Sequence, residues 1–254
     1  MSVIIKDLSF KYNPKQKPIL NNINLEIGDG EIIALLGTSG SGKSTLLNII
    51  SSLYQPTSGT INLININELE LSYLQQSAID MVFPWKTVIQ NIEFALKERN
   101  QLTVEAKNRI ENLLSVLKLN HRKNYFPNQL SGGEIKRLSF ACGLSYLPKL
   151  ILLDEAFSGV DLSLKLKLWE FLKNEIANNK ASSVIISHDF DEAIFLADRI
   201  IFLDKNGTIH SKQLLIDREL KENLIDLEQF FSNKKIVEIK KEALSLFRKI
   251  NDDE

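Results

Sequence analysis

The sequence predicts an α/β fold: a parallel sheet packed with helices, preceded by an antiparallel β element and interrupted by a helical insertion. Three observations carry this. Short runs without polar interruption, at residues 32–36, 150–153 and 184–186, have the length and apolar composition of strands buried on both faces. The first runs through Gly37-Thr38-Ser39-Gly40-Ser41-Gly42-Lys43-Ser44-Thr45 into Leu46-Leu47-Asn48-Ile49-Ile50, so strand, glycine-rich loop and helix follow directly on one another. Between residues 86 and 148 the apolar spacing becomes that of helices.

Residues 3–12 alternate and are β-rich, with Phe10 and Tyr12 on one face. Asn13-Pro14-Lys15 is a turn, residues 19–27 are a second strand, and Gly28-Asp29-Gly30 is a hairpin signal leading into the strand at 32–36. Tyr12 has two readings, a platform for a nucleotide base or a half-buried strand aromatic. Pro56-Thr57-Ser58-Gly59 turns the chain into strands at 60–66 and 69–74, which end at Gln75-Gln76. Phe83-Pro84-Trp85 breaks the pattern before a helix at 88–96. Thr103 caps the next helix, whose apolar face is Val104, Ile110, Leu113, Leu114 and Leu117.

Ser131 and Glu134 have the spacing of a capping box, with a helix running to about residue 147. A helix follows at 162–177, then a strand ending at His188. Residues 199–203 and 207–210 form a last hairpin. In the tail, Leu227, Phe230 and Phe231 suggest a short helix. Ile236, Ile239, Ala243, Leu246, Phe247 and Ile250 suggest a second with one packed face. The expected organisation is one domain at 1–210, carrying the helical subdomain at 86–148, and a helical extension at 211–254.

Composition excludes several classes. The net charge of −1 gives no global attraction to nucleic acid or anionic lipid. The one cysteine, Cys142, makes no internal disulfide and reads as a small core residue, and no Cys/His cluster suggests zinc. No apolar run reaches the ~20 residues of a membrane span, and Met1-Ser2-Val3-Ile4-Ile5-Lys6 lacks a signal-peptide pattern, so a cytoplasmic setting is expected.

The loop at 37–45 has the chemistry of a phosphate cradle. Glycines let backbone N–H groups curl around an anion, and the following helix points its unpaired N–H groups at the same place. Lys43 suits the β- and γ-phosphates and the Ser44 hydroxyl suits Mg²⁺. Gly132 and Gly133 cost the first turn of their helix roughly 1 kcal/mol each relative to alanine, so bare backbone must serve something there, and an anion is the obvious candidate. The strand at 150–153 ends in Asp154 and Glu155, at the edge of a parallel sheet where acids meet a phosphate loop. Asp154 is the metal ligand of this reading and Glu155 the group that orients and deprotonates water. His188, at a strand end, suits a polar role at the same edge, while His121 and His210 read as surface residues and Trp169 as packing.

In this order the motifs resemble those of the ATPase subunit of ABC transporters, whose α/β core is a RecA-like P-loop NTPase. The resemblance covers residues 1–210. It rests on an aromatic A-loop (Tyr12), Walker A (37–45), a Q-loop (Gln76), the signature Leu130-Ser131-Gly132-Gly133-Glu134, Walker B (150–155), a D-loop (158–161) and an H-loop (His188). Gln75 competes for the Q-loop place, but Gln76 fits the strand that ends there. Phe83-Pro84-Trp85 and the run from Ser187 through Ala193 look like importers of the nitrate/sulfonate/taurine type. The chain departs from the family in Glu134, where Gln is common, in Ala156, where Pro is frequent, and in Gly159-Val160, where Ala-Leu is usual.

The resemblance implies a head-to-tail homodimer with two ATP sites, each made of Walker A from one chain and Ser131, Gly132 and Gly133 from the other. It implies Mg²⁺ on Ser44, Gln76 and Asp154, and His188 bridging Glu155 and the γ-phosphate. It implies a transmembrane permease seated around residues 76–85, reached by a solute-binding protein through the complex, with the chain peripheral on the inner face of the membrane. No role with nucleic acid is expected. Cassettes of export or lipid systems, and soluble iron–sulphur assembly ATPases, are the rival readings. A GTPase is disfavoured because no Asn-Lys-x-Asp motif follows the loop, and a non-enzymatic subunit is expected to lack Lys43, Glu155 or His188.

Overall fold

The computed structural model describes residues 1–217 and 227–252. Residues 1–66 and 182–254 form one unit and residues 67–181 a second.

In the first unit, β1 (Val3–Phe10), β2 (Leu20–Ile27) and β4 (Ser58–Leu63) make an antiparallel sheet in the order β2-β1-β4. Alternation, reset by register irregularities between Ile5 and Phe10 where β1 pairs β2, sets its buried face: Val3, Ile5, Leu8 and Phe10 of β1 and Leu20, Ile23, Leu25 and Ile27 of β2 are all buried. Strand β3 (Ile32–Leu36) runs parallel to β7 (Ser182–Ile186) on one side and to β8 (Arg199–Phe202) on the other. Every residue of β3 and β7 is buried, as strands covered on both faces require.

The expected hairpin at Gly28-Asp29-Gly30 is a different structure. Strand β2 pairs with β1, and β3 joins the parallel strands, so this turn passes the chain between sheets. Its anchor is the fully buried Ser182, whose hydroxyl accepts from Gly30 N–H at 3.1 Å and donates to the Gly28 carbonyl at 2.8 Å. The Glu31 carboxylate accepts Gly28 N–H at 2.7 Å and Arg199 Nε at 2.8 Å. The last hairpin is present but closes on fewer residues than expected: Leu203 bridges Ile209, His210 N–H donates to the Phe202 carbonyl at 2.9 Å and Asp204 N–H to the Thr208 carbonyl at 3.0 Å, and β8 takes β9 (Leu214–Leu215) as its antiparallel strand. The cause is Asp204, which accepts the N–H groups of Asn206 and Thr208 and the Thr208 hydroxyl, winding 204–208 into a tight loop before pairing resumes.

Helix α1 (Lys43–Ile50) follows β3, and the later α6 (Phe190–Leu196) follows β7. The tail helix Lys234–Asp252 buries Ile236, Ala243 and Leu246 and packs on α6, with Phe247 edge-on to Phe190 at 5.6 Å and Lys240 Nζ 2.6 Å from Asp191. The shorter helix Leu227–Ser232 buries Phe230 against Phe195. The parts of the expected extension at 218–226 and 253–254, and the side chain of Leu227, lie outside the described residues.

In the second unit, β5 (Leu71–Leu74) pairs parallel with β6 (Leu150–Asp154). The expected strand from residue 69 is shorter because Asn67 caps a 3-10 turn at Glu68–Glu70. Four helices belong to the same unit, α2 (Val88–Lys97), α3 (Val104–Val116), α4 (Gly132–Leu144) and α5 (Leu162–Asn179), and α4 packs on β5. Thr103 caps α3 as expected. Gly143 lets α4 approach β5, since a β-carbon there would meet Leu74 and Ser72 at 2.8 Å. Trp169 is packing, edge-on to Phe157, which in turn lies on Phe140. Burial pushes the Cys142 thiol up to about 12, consistent with an inert small side chain.

Two polar networks hold this unit. Asn91 of α2, 2% exposed, accepts from Phe83 N–H at 2.7 Å and donates to the carbonyls of Phe83, Lys86 and Thr87, so it ties down the Phe83-Pro84-Trp85 loop. At the start of α4 the capping box is present: Glu134 N–H donates to Ser131 Oγ, and the Glu134 carboxylate accepts Ser131 N–H at 2.8 Å. Arg122 Nε also donates to that carboxylate at 2.9 Å.

Replacing Asn91 by alanine strands those buried backbone groups and is expected to lower stability by about 2 kcal/mol in denaturant unfolding, whereas an unchanged midpoint would show the network to be dispensable. The Ser131 backbone N–H, with Arg122 behind it, lowers the Glu134 carboxyl from 4.5 to about 2. A folded-state pKa below the unfolded one means stability that is complete above 4.5 and fades as pH falls towards about 2. Acid unfolding followed by circular dichroism should therefore be less steep across that window in Glu134→Gln than in the wild type.

Candidate functional site

The loop from Gly37 to Thr45 is shaped by crowding. A β-carbon on Gly37 would stand 2.4 Å from the Leu203 carbonyl oxygen, and one on Gly42 would stand 2.9 Å from that of Ile19. Gly40 and Gly42 take φ of +81° and +98°, a region costly for other residues. Gly42 is the N-cap of α1 and brings no side-chain cap, so the first N–H groups of the helix stay open to an anion.

Lys43 is 6% exposed and its Nζ donates to the carbonyls of Gly37 and Thr38 at 2.9 and 2.7 Å, spanning the loop. Thr38 Oγ1 and Ser41 Oγ are buried and lack a hydrogen-bond partner among the described residues, while Ser39, Gly40 and Ser44 are exposed. Buried hydroxyls of that kind fit a loop that receives polar oxygens from a ligand. Tyr12 lies past the end of β1 rather than on it. It is 57% exposed, and its hydroxyl is 2.9 Å from Thr45 Oγ1. Its ring stands edge-on to Phe10 and Tyr54. Tyr54 was not picked out by sequence patterning, because the contact spans 42 positions of chain and follows no period. Also in this unit, His188 is exposed just beyond β7, and Asp189 caps α6.

In the second unit β6 ends in Asp154, 6% exposed, with the Tyr73 hydroxyl donating to its carboxylate at 3.5 Å. Glu155 follows with φ +49°, a left-handed conformation that costs a non-glycine residue about 1–3 kcal/mol. Gln76 Nε2 donates to Glu155 Oε2 at 3.2 Å, while the backbone N–H of Gln75 goes to the Met81 sulfur. Ser131, Gly132 and Gly133 stand at the start of α4, and a β-carbon on Gly132 would meet nothing within 4 Å. Nothing near it in the chain requires glycine there. Tyr73, Arg122 and Lys136, which bond to Asp154, Glu134 and the Glu155 carbonyl, were not legible as site residues. Trp85 is 69% exposed and rests on Phe83.

Among the described residues no helix is long and apolar enough to cross a membrane, and no group of three or more His, Cys, Asp or Glu could hold a metal ion. Residues 20–158 match the ABC transporter family. The chain is 35% identical over 216 residues to a probable sulfate/thiosulfate import ATP-binding protein of Chlorella vulgaris, covering 82% of this chain and 89% of that one. It is 36% identical over 213 residues to an aliphatic sulfonates import ATP-binding protein of Rhizobium johnstonii, covering 84% and 81%. Several longer relatives are matched over 59% of their length. The dimeric, post-hydrolysis structure of the ATP-binding cassette MJ0796 with ADP and Pi superposes with a TM-score of 0.75 at 29% identity, over 85% of this chain and 99% of that one. The chain belongs to the ABC transporter family, as one of its ATP-hydrolysing cassettes.

Proposed function

We propose that this cassette powers an importer: two copies close on ATP, and closure and release drive a transmembrane permease bound to them. The observation that carries the reading is the bare start of α4. Gly132 is exposed and unneeded by its surroundings, yet glycine at a helix start sacrifices stability. The backbone N–H groups of Gly132 and Gly133 lie outside the Ser131–Glu134 capping box and suit the phosphates of a nucleotide held by a second chain.

In this reading the backbone of 37–45 and Lys43 hold the β- and γ-phosphates, and Tyr12 carries the base. Glu155 orients the attacking water and takes its proton, Gln76 steadies the Glu155 carboxylate, and His188 acts on the γ-phosphate. Mg²⁺ suits the hard oxygen donors of Ser44, Gln76 and Asp154. One carboxylate with hydroxyl, amide and phosphate oxygens is a donor set of the kind it takes, and it would neutralise phosphate charge. Residues 1–210 are the ATPase domain and 211–254 its extension.

The exposed Trp85, held on a loop that Asn91 fixes, suits a helix of the permease. The relatives' names point to sulfate, thiosulfate and aliphatic sulfonates as imported solutes, and in this reading a solute-binding protein delivers such a solute to the permease. The cassette then sits on the inner face of the membrane through that permease.

Glu155→Gln tests the reaction. Its steady-state turnover is expected to fall at least about 100-fold, with ATP affinity by calorimetry retained. Turnover at the wild-type rate would refute the assignment of Glu155.

A further inference from the structure

The turn that carries Glu155 is closed from outside by a side chain of α4. Ser158 N–H donates to the Glu155 carbonyl at 3.1 Å, completing a four-residue turn. Lys136 Nζ donates to that same carbonyl at 3.3 Å and to the Ser158 carbonyl at 2.5 Å. One ammonium thus joins both ends of the turn in which Glu155 holds φ +49°. The two residues between are seated: Ala156 is 3% exposed and Phe157 1%, on Phe140 of α4.

We propose that Lys136 is a positioning residue for hydrolysis. It holds the Glu155 backbone in its left-handed conformation and so sets where the carboxylate is presented. The inference rests on Glu155 acting as the base of the proposed function. An ammonium has three donors and tolerates several angles, which suits it to donating to two carbonyls at once. Displacement of a reacting group by about 1 Å costs up to ~100-fold in rate, so a loosened turn should be visible in turnover before it is visible in binding.

The experiment compares the ATPase kinetics of Lys136→Met, Lys136→Gln and Lys136→Arg in otherwise wild-type protein and of Lys136→Met in Glu155→Gln. Lys136→Met is expected to lower kcat about tenfold with KM within about twofold, and Lys136→Arg to keep most of the rate. In Glu155→Gln, whose residual turnover is followed with radiolabelled ATP, Lys136→Met should add no further loss, because the group it positions is already gone. A wild-type kcat in Lys136→Met, or an equal proportional loss with and without Glu155, would overturn the proposal. Should Lys136→Met fail to fold, Lys136→Gln decides, with a kcat loss of about threefold expected and an unchanged kcat refuting it. Wild-type turnover in Glu155→Gln would instead refute the base assignment, and the Lys136→Met rate would then have no partner to act through.

Discussion

A backbone that no β-carbon can enter is the constraint on which the rest of the site depends. At Gly37 the loop passes against the Leu203 carbonyl, and at Gly42 against Ile19 and Leu20, with φ +98°. The parallel strands on either side of β3 fix the first approach, since β8 delivers Leu203, and the end of the segment before β2 fixes the second. Lys43 spans the same loop from inside. Local sequence supplies the glycines, and tertiary packing makes them obligatory.

The second unit solves the opposite problem, holding charged side chains at defined places. Glu134 illustrates it: two donations from Ser131 and one from Arg122 keep it ionised at a helix start, where its charge also favours the dipole. Glutamine is common at this place in the family the chain resembles, and it would fill the same capping role without the charge. The carboxylate therefore brings Arg122 into the arrangement, and Arg122 in turn lies over Tyr125. Asn91 does comparable work for the loop of Trp85, with neutral groups only. The tail helix Lys234–Asp252 adds an apolar face and an ion pair to α6, the helix that starts directly after His188 and Asp189.

What was legible in the sequence was what local chemistry decides. Thr103 and Ser131 cap their helices because a hydroxyl reaches an N–H three residues on. Residues 32–36 and 150–153 form buried strands because uninterrupted apolar runs admit little else. Of the two neighbouring glutamines, Gln76 is the one whose amide reaches Glu155, although β5 ends at Leu74 and not at Gln76 as the sequence suggested. Choices made at long range were hidden. Gly28-Asp29-Gly30 has hairpin composition, yet its conformation is fixed by a serine 152 positions away. Tyr54 and Lys136 carry no pattern of their own, and each acts through a contact that only the assembled fold supplies.

Calorimetric titration of Mg-ATP into Gly42→Ala, with Gly30→Ala as the control, bears most directly on the claim that bare, crowded backbone makes the phosphate cradle. Both glycines have positive φ, so both substitutions strain the backbone, but a β-carbon on Gly30 meets nothing within 4 Å and lies outside the loop. The account predicts that Gly30→Ala keeps the wild-type affinity and Gly42→Ala loses it by about 100-fold or more, with both proteins folded. Equal affinity in the two would contradict it.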